Sequence, residues 1–245
     1  MKSKTFNITI TLFALLFSTT SSAEWNGAKW NEANKWNSGG EEQDKALLLK
    51  PDIENGRKVW ETCSACHLQE AWGTKNGEYP QLAGQHSTVL IKQLADIRAL
   101  NRDNPTMYQF SLPETIGGVQ AIADVVAYIQ RIPMTPDHGI GPRKDPENLE
   151  KGKELYEENC IMCHGEHGEG DAKKFYPRIG GQHYKYIMRQ FDWIRLGKRR
   201  NANEEMHEQI KRFTRNEEIN VINYVSRLKV NPKLLAPSVF WHNDL

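Results

Sequence analysis

Apolar residues along the chain have the spacing of amphipathic helices, and this spacing occurs twice. In residues 90–97 and again in residues 187–194, apolar side chains stand at positions i, i+4 and i+7. Such spacing lines one face of a helix, whereas a half-buried strand needs strict alternation. No alternating stretch of useful length occurs in the sequence. The pattern therefore predicts an all-α fold.

The helical pattern belongs to a repeat that covers most of the chain. Segments of the first copy recur in the same order about a hundred residues later. Self-similarity of this extent indicates a tandem duplication, and 245 residues suffice for two domains of about 100 residues each. The matched segments are 53–60 with 149–156, 79–86 with 176–183, 90–97 with 187–194, and 125–129 with 221–225.

Each copy is predicted to form about three main helices. The first helix ends near a cysteine pair, the second carries the apolar face, and the third closes the unit. In the second copy, Asp145 and Pro146 are typical of an N-cap and a first helical position. Thr214 and Glu217 have the spacing of a capping box at the start of the last helix.

The ends of the chain and the joint between the copies differ in composition from the repeated units. Lys2, Lys4, an apolar run at 6–17 and small residues before Glu24 are typical of a signal peptide. The alternative is an uncleaved anchor, although the run is shorter than the roughly 20 residues of a spanning helix. The predicted segments are a signal peptide 1–23, a Trp-rich N-terminal extension 24–51, a first domain 52–133, a linker 134–144, a second domain 145–230 and a C-terminal tail 231–245.

The extension and the tail both carry apolar residues outside the repeat. Trp25, Trp30 and Trp36 are each followed by asparagine. Either this segment lies across the folded body and buries some indoles, or it docks a partner, because exposed tryptophans favour interfaces. The tail contains the apolar run 239–241 and is predicted to pack back onto the body.

The charge balance argues against one class of partner. The chain has 32 basic and 31 acidic side chains, and loss of residues 1–23 leaves 30 and 31. Nucleic-acid-binding domains are strongly basic, so we expect no nucleic-acid partner. Basic residues are concentrated at 195–200 in the second copy, where they either steer an acidic partner or lie on a solvated helix end.

The candidate chemistry lies in a five-residue motif that occurs once in each copy. Residues 63–67 read CSACH and residues 160–164 read CIMCH. CxxCH is the attachment signature of c-type haem, in which both cysteines form thioethers and the histidine ligates iron. A lone motif also fits a redox dithiol or a zinc site, but a matched pair behind a signal peptide predicts two covalently bound haem c groups. The motifs use all four cysteines of the chain, Cys63, Cys66, Cys160 and Cys163.

The axial iron ligands are predicted from the motif histidines and from two methionines. His67 and His164 follow the cysteine pairs, and Met107 and Met206 lie in polar segments, predicted to be loops, between the middle and last helices. A thioether opposite the histidine would stabilise ferrous iron and raise its reduction potential. We predict these four residues as the axial ligands.

Other repeat-equivalent residues are candidates for supporting roles. His86 and His183 are either competing iron ligands or structural groups, which we favour, and His207 is a further candidate beside the predicted methionine. The carbonyls of Pro80 and Pro177 are placed to orient the motif histidines. Two arginine pairs are placed to bind haem propionates or to lie on a solvated helix face: Arg98 with Arg195, and Arg102 with Arg199.

With these residues the sequence resembles the dihaem class I cytochromes c, in particular the periplasmic cytochrome c-four group. The resemblance covers roughly residues 52–230. It implies two tandem cytochrome c-like domains, each built from about three main helices around a covalent haem. The chain departs in its extension, in its tail, and at Leu100, where the second copy has Gly197. The resemblance rests on both CxxCH motifs, Met107, Met206, the Gly-Gln pairs at 84–85 and 181–182, and the Arg-Arg-Asn sequence at 199–201.

The resemblance implies an exported, periplasmic electron carrier rather than an enzyme. Its partners would be redox proteins: a quinol-oxidising complex, a terminal oxidase or a periplasmic oxidoreductase. No membrane-spanning segment is expected after signal cleavage, although peripheral association is compatible with the sequence. The alternatives are a dihaem oxidoreductase of thiosulfate dehydrogenase or peroxidase type, and the cytochrome subunit of a larger redox complex. No cysteine is left over for the ligand that a dihaem thiosulfate dehydrogenase would need.

Overall fold

A computed structural model of the chain describes residues 40–243, and these residues are mostly helical. The predicted signal peptide and the three tryptophans of the extension lie outside the described residues. Within 40–243 the extended pairings are isolated bridges, so the predicted all-α fold is confirmed. None of the helices in this range is long and apolar enough to cross a membrane. The helices are α1 (Glu41–Leu48), α2 (Ile53–His67), α3 (Ser87–Arg98), α4 (Pro105–Ser111), α5 (Pro113–Ile116), α6 (Val119–Ile129), α7 (Pro146–Asn159), α8 (Ile161–His164), α9 (Tyr184–Arg195), α10 (Glu204–Ile210) and α11 (Arg215–Val225), followed by a 3₁₀ turn at Pro232–Leu234.

The first domain is built on the crossing of α2 and α6. The two backbones approach closely at Gly56, where a Cβ atom would lie 2.2 Å from the carbonyl oxygen of Asp124. Only glycine permits this approach. Trp60, which is 1% exposed, packs into the core beside Tyr128, with ring centroids 6.4 Å apart. Helix α3 covers the same core through Leu90.

The second domain repeats this crossing with α7 and α11. Gly152 takes the place of Gly56, and a Cβ atom on it would lie 2.3 Å from the carbonyl oxygen of Asn220. Tyr156 is the equivalent of the buried tryptophan, is 1% exposed and packs on Tyr224. Each domain therefore has its own apolar core around the same helix pair.

Both predicted helix starts in the second domain are confirmed. Asp145 caps α7 by accepting a hydrogen bond of 3.0 Å from a backbone N–H of the first turn, and Pro146 is the first helical residue. Thr214 and Glu217 form a reciprocal capping box at the start of α11. In the first domain α6 begins after Gly118, which has no side chain to cap the helix.

The last part of the predicted extension packs on the first domain. Residues 41–48 form α1, which lies against α3 and α6. Its Gln43 and Ala46 are each 2% exposed. At least this part of the extension therefore lies across the folded body.

The C-terminal tail packs back onto the same domain, as its apolar residues indicated. The backbone N–H of Met134 donates to the carbonyl of Leu234 at 2.7 Å, and that of Ala236 donates to the carbonyl of Met134 at 2.8 Å. Further along, the ring of Trp241 lies 6.1 Å from that of Trp72. The tail therefore covers part of the first domain.

The two domains meet through a contact with pseudo-two-fold symmetry. Oε1 of Gln85 accepts from the backbone N–H of Arg178 and its Nε2 donates to the carbonyl of that residue, both at 2.9 Å. Gln182, the equivalent of Gln85, makes the same two bonds to Gln81, at 3.0 and 2.8 Å. Each glutamine side chain thus pairs with both the N–H and the C=O of one residue of the opposite domain, as a neighbouring β-strand would.

Two histidines repeat the reciprocal arrangement. Nε2 of His86 lies 2.7 Å from the carbonyl oxygen of Glu169, and Nε2 of His183 lies 2.7 Å from that of Trp72. Because a carbonyl only accepts hydrogen bonds, both rings donate through Nε2. Each histidine therefore binds a main-chain carbonyl of the opposite domain, and the two carbonyls belong to repeat-equivalent residues.

The linker is a packed element between the domains. Met134 is 2% exposed and fills the space beside the glycine of each Gly-Gln pair. A Cβ atom on Gly84 would lie 2.4 Å from its Sδ, and one on Gly181 would lie 2.6 Å from its Cε. The next residue, Thr135, donates its N–H to Oε1 of Gln81 at 2.8 Å. The linker therefore helps to fix how the domains sit against each other.

Candidate haem-binding sites

Each CxxCH motif lies where a helix ends against its domain core. In the first domain the motif forms the end of α2, and in the second it follows α7 and includes α8. Cys63 packs against the first core and Cys160 against the second. Burial raises the pKa of both thiols to about 12. All four cysteines are half-buried and none forms a disulfide.

This environment does not suit the other uses of a CxxC sequence. Thiol–disulfide exchange needs a thiolate, and the burial of Cys63 and Cys160 disfavours that form. A zinc site needs further ligands, and within residues 40–243 no three His, Cys, Asp or Glu side chains are grouped to hold a metal ion. Two thiols and a histidine beside an apolar core do fit a covalently attached haem, whose porphyrin is largely apolar.

The histidine of each motif is buried and held in one tautomer. Nδ1 of His67 lies 3.1 Å from the carbonyl oxygen of Pro80, and Nδ1 of His164 lies 3.1 Å from that of Pro177. Because the carbonyl accepts, Nδ1 carries the hydrogen and Nε2 keeps its lone pair. Burial lowers the pKa of both rings, so both are neutral at pH 7. The predicted orienting role of the proline carbonyls is confirmed.

The two predicted methionine ligands occupy equivalent places, but these places are short helices and not the expected loops. Met107 is the third residue of α4 and Met206 the third residue of α10. The N–H of Met107 donates to Oδ1 of Asn104 at 3.3 Å, and that of Met206 donates to Oδ1 of Asn203 at 2.9 Å. The polar residues that suggested loops are N-caps and exposed faces of helices too short to show a periodic pattern. Both methionine side chains are half-buried.

The competing histidines serve the domain interface. Both ring nitrogens of His183 are engaged, since Nδ1 accepts from the N–H of Gly139 at 3.0 Å and Nε2 donates to Trp72. His86 makes the equivalent Nε2 bond to the opposite domain. His207 lies on α10 with its Nδ1 3.6 Å from the carboxylate of Glu208. The structural role that the sequence favoured for His86 and His183 is the observed one.

Acid is expected to weaken the interface at His183. Burial lowers its pKa in the folded protein, and His138 and Lys75 act in the same direction. The hydrogen bond to the Trp72 carbonyl and the charge of Asp137 oppose this shift without cancelling it. The unfolded chain therefore binds the proton first as pH falls, so stability is lost below about pH 6.5 and retained above it. We expect His183→Gln to lose less stability than wild type between about pH 8 and about pH 5. Urea midpoints of both haem-loaded proteins at the two pH values measure this, and equal losses would contradict it.

Arg98 and Arg195, the first candidate arginine pair, each have an acidic partner within their own domain. Arg98 donates to the carboxylate of Glu42 at 2.6 Å. Arg195 donates to Asp192 at 2.9 Å and lies 3.4 Å from the carboxylate of Glu218. These contacts leave Arg98 and Arg195 poorly placed as propionate ligands.

The second arginine pair shares two glutamines across the domain interface. Oε1 of Gln93 accepts from Arg102 at 2.8 Å and from Arg199 at 3.0 Å. Oε1 of Gln190 accepts from Arg199 at 3.0 Å and from Arg102 at 3.3 Å. These four residues are repeat-equivalent, so they form a second pseudo-symmetric contact.

The departure of the first repeat from the Gly-x-Arg pattern leaves its arginine in place. Leu100 has a φ angle of 57°, close to the 69° of Gly197. A left-handed backbone costs a leucine on the order of 1–2 kcal/mol that a glycine avoids. The leucine accepts this conformation, and Arg102 reaches the place equivalent to that of Arg199.

The surroundings of these arginines carry an excess of positive charge. Lys92 and Asp96 form a buried pair at 2.7 Å, and Asn201 of the second domain donates to the same carboxylate at 2.7 Å. Asp96 is thus already paired with Lys92, while Arg102 and Arg199 donate to the neutral side chains of Gln93 and Gln190. Burial and then Arg102 lower the pKa of Arg199 to about 9, which leaves it charged at neutral pH. Buried cations need anionic partners, and haem propionates are anions of the right kind.

The sequence interpretation missed several of these residues. Gln93 and Gln190 are 97 positions apart, as are the motif histidines, so their repeat equivalence was the available signal. Lys92 and Asp96 have no equivalent pair, since arginine and tryptophan stand at 189 and 193. Glu42 lies in the unrepeated extension and offered no signal.

Two repeated helical domains, each with a haem-attachment motif and a buried neutral histidine bound to a proline carbonyl, define a dihaem c-type cytochrome. The family model for cytochrome c matches residues 53–133 and again residues 149–229. The chain belongs to the cytochrome c family and carries two covalently bound haem c groups. The predicted cofactors and tandem cytochrome c-like domains are confirmed.

Known proteins agree with this assignment. The chain is similar to cytochrome c4 of Azotobacter vinelandii, 31% identical over 169 residues that cover 63% of this chain and 78% of the relative. It is also similar to a thiosulfate dehydrogenase electron acceptor of Stutzerimonas stutzeri strain A1501, 28% identical over 194 residues, 72% of this chain and 88% of the relative. The crystal structure of reduced recombinant cytochrome c4 from Pseudomonas stutzeri matches with a TM-score of 0.63 and 25% identity, covering 74% of this chain and 100% of that chain. The protein is a dihaem electron-transfer protein.

Proposed function

We propose that the protein is a periplasmic electron carrier in which each haem iron is held between a histidine and a methionine. The observation that carries this proposal is one arrangement that occurs twice: a buried neutral histidine, and a methionine at the third position of a short capped helix. The haem supplies the one-electron chemistry, and the chain orients its ligands. The proposed ligands are His67 and Met107 for the first iron and His164 and Met206 for the second, with attachment to Cys63, Cys66, Cys160 and Cys163.

This ligand set favours electron transfer over substrate chemistry. A thioether ligand favours ferrous iron and raises the reduction potential. With these ligands in place, peroxide or thiosulfate would find no open position at either iron. Every cysteine of the chain belongs to a CxxCH motif, so none serves as the extra ligand expected of a dihaem thiosulfate dehydrogenase.

We propose that Arg102 and Arg199 hold propionates of the two haems at the domain interface. Their guanidinium groups donate to two shared glutamines, and the nearby carboxylate of Asp96, whose charge acts on Arg199, is already paired with Lys92. Propionate carboxylates would balance this excess charge through charge-assisted hydrogen bonds. The same contacts would bring both haems toward the domain boundary, where electrons pass between them.

The partners we propose are periplasmic redox proteins. A quinol-oxidising complex or a periplasmic oxidoreductase would donate electrons, and a terminal oxidase would accept them. The similarity to a thiosulfate dehydrogenase electron acceptor supports an oxidoreductase among the donors. The basic residues at 195–200 are mostly engaged within the protein: Arg195 pairs with Asp192, Arg199 donates to Gln93 and Gln190, and Arg200 pairs with Asp103. We therefore propose no steering role for this segment.

A kinetic assay with the full haem-loaded chain tests this function. The chain is expressed with its own N-terminus, and we expect a periplasmic product that begins near Glu24 and carries two haems by intact mass. Mixed with thiosulfate and a catalytic amount of a thiosulfate dehydrogenase, it should be reduced at both haems, because thiosulfate supplies the electrons and the enzyme transfers them. Thiosulfate alone should give no steady turnover.

Two results would contradict the carrier proposal. Turnover of thiosulfate or peroxide by the protein alone, at rates of a dedicated enzyme, would indicate a dihaem oxidoreductase. Purification at native expression in fixed stoichiometry with an oxidase or dehydrogenase would indicate the subunit of a larger complex. The control is a single-haem cytochrome c treated in the same way, which reports any direct reduction by the reagents.

A further inference from the structure

The side chain of Arg98, the last residue of α3, joins three separate segments of the first domain. Nη1 donates to the carboxylate of Glu42 on α1, and Nη2 donates to the carbonyl of Gly117 after α5, both at 2.6 Å. Nε donates to the carbonyl of Ser111, the last residue of α4. The side chain is 5% exposed, so water does not replace these bonds.

Two of these segments belong to the part of the chain that carries Met107. We call residues 104–117, which contain α4 and α5, the Met107 arm. Helix α4 packs against α3, and α5 packs against α4. Ser111 is fully buried and lies one helical turn beyond Met107. The carbonyl that Arg98 binds is therefore fixed to the helix that presents the methionine.

The third segment, α1, supplies the counter-charge. Helix α1 is anchored on the domain by its buried Gln43 and Ala46. Its Glu42 neutralises the guanidinium of Arg98, which is otherwise a costly buried cation. Without this carboxylate the arginine gains by turning toward water, and the carbonyls of Ser111 and Gly117 then lose their donor.

The second domain lacks this connection. Arg195, the repeat equivalent of Arg98, pairs with Asp192 and with Glu218 of α11. Its Nε has no hydrogen-bond partner in the part of the chain that the structure describes. Among the described residues, no bond joins Arg195 to α10, the helix that carries Met206.

We propose that α1, through Glu42 and Arg98, is a positioning device that holds the Met107 arm. It makes Met107 harder to displace from the first haem iron than Met206 is from the second. This inference rests on the proposed axial role of Met107. The arm must open locally before another ligand can displace the thioether, and Arg98 ties the end of α4 and the end of the arm to α3 and α1. Glu42 and Arg98 are positioning residues and contact no iron ligand directly.

Imidazole binding to the oxidised, haem-loaded chain tests the proposal. We expect Glu42→Gln to speed imidazole binding at the first haem about tenfold, the factor that corresponds to about 1.4 kcal/mol, with the second haem unchanged. The control is Glu41→Gln, which removes the same charge from the same helix, where the exposed carboxylate pairs with Lys45. Arg98→Lys should act like Glu42→Gln, because it keeps the charge but not the three-way contact.

Met107→Ala identifies which kinetic phase belongs to which haem, because it should make imidazole binding fast at the first haem and leave binding at the second haem slow. If Glu42→Gln and Glu41→Gln bind imidazole at the same rate while Met107→Ala acts as expected, the positioning role is wrong and the ligand assignment stands. Equal acceleration at both haems in Glu42→Gln would likewise overturn it, since that indicates general loosening. If Met107→Ala changes neither phase, the ligand assignment itself fails and this inference fails with it.

Discussion

Replacing Met107 with alanine should abolish the far-red sulfur-to-iron absorption band of one oxidised haem and leave the other haem's band intact. Met206→Ala should do the same to the second haem. Loss of the thioether removes the ligand that favours ferrous iron, so the potential of that haem should fall. A drop on the order of 0.1 V is expected within the roughly 0.8 V range that axial ligands span. Potentiometric titration with resolved spectra of each haem measures both effects.

The control for this experiment is Met188→Ala. Met188 is half-buried, lies mid-helix in α9 and packs against the second core. Its loss should cost stability without touching either band, because a core methionine has no ligand role. Survival of both bands in the Met107→Ala and Met206→Ala proteins would show that the ligand assignment is wrong.

Asp96→Ala should be strongly destabilising, with a thermal midpoint lower by about 10 °C. Removing one partner of a buried ion pair costs about 3–5 kcal/mol, and each kcal/mol shifts the midpoint by about 2–4 °C in a domain of 150–250 residues. The change leaves the buried ammonium of Lys92 without this carboxylate and removes the acceptor of Asn201 from the opposite domain. Thermal unfolding of the haem-loaded protein gives the shift.

Asp103→Ala is the matched control for that experiment. Asp103 also pairs across the domain boundary, with Arg200 at 2.8 Å, but its side chain is 43% exposed. An exposed pair contributes about 1 kcal/mol or less, so the midpoint should change by only a few degrees. Equal shifts of the thermal midpoint in the two variants would mean that burial does not account for the contribution of Asp96 to stability.

The parts of the fold that follow local rules could be predicted from the sequence. Asp145 and Thr214 mark helix starts because an N-cap needs only a side chain and the next turn of backbone. The two CxxCH motifs are equally local, since haem attachment needs the cysteines and the histidine on one turn. Because the two copies are repeat-equivalent, an inference drawn for one domain could be applied to the other.

The contacts that depend on the tertiary fold could not be predicted in this way. The sequence could not choose between Arg98 with Arg195 and Arg102 with Arg199, because the choice depends on which pair other helices neutralise. The placement of Met107 and Met206 in helices was missed for a different reason. A helix of two turns is stabilised by packing and by its cap more than by propensity, and its sequence resembles a polar loop.

The reciprocal bonds of Gln85, Gln182 and the two interface histidines are made to main-chain atoms. The positions that receive them hold different side chains in the two copies: glutamine at 81 against arginine at 178, and tryptophan at 72 against glutamate at 169. A peptide group is the same whatever residue carries it. After duplication, each copy was therefore free to change these side chains without losing its hydrogen bonds to the other copy. The surface that each copy offers to other proteins could change with them.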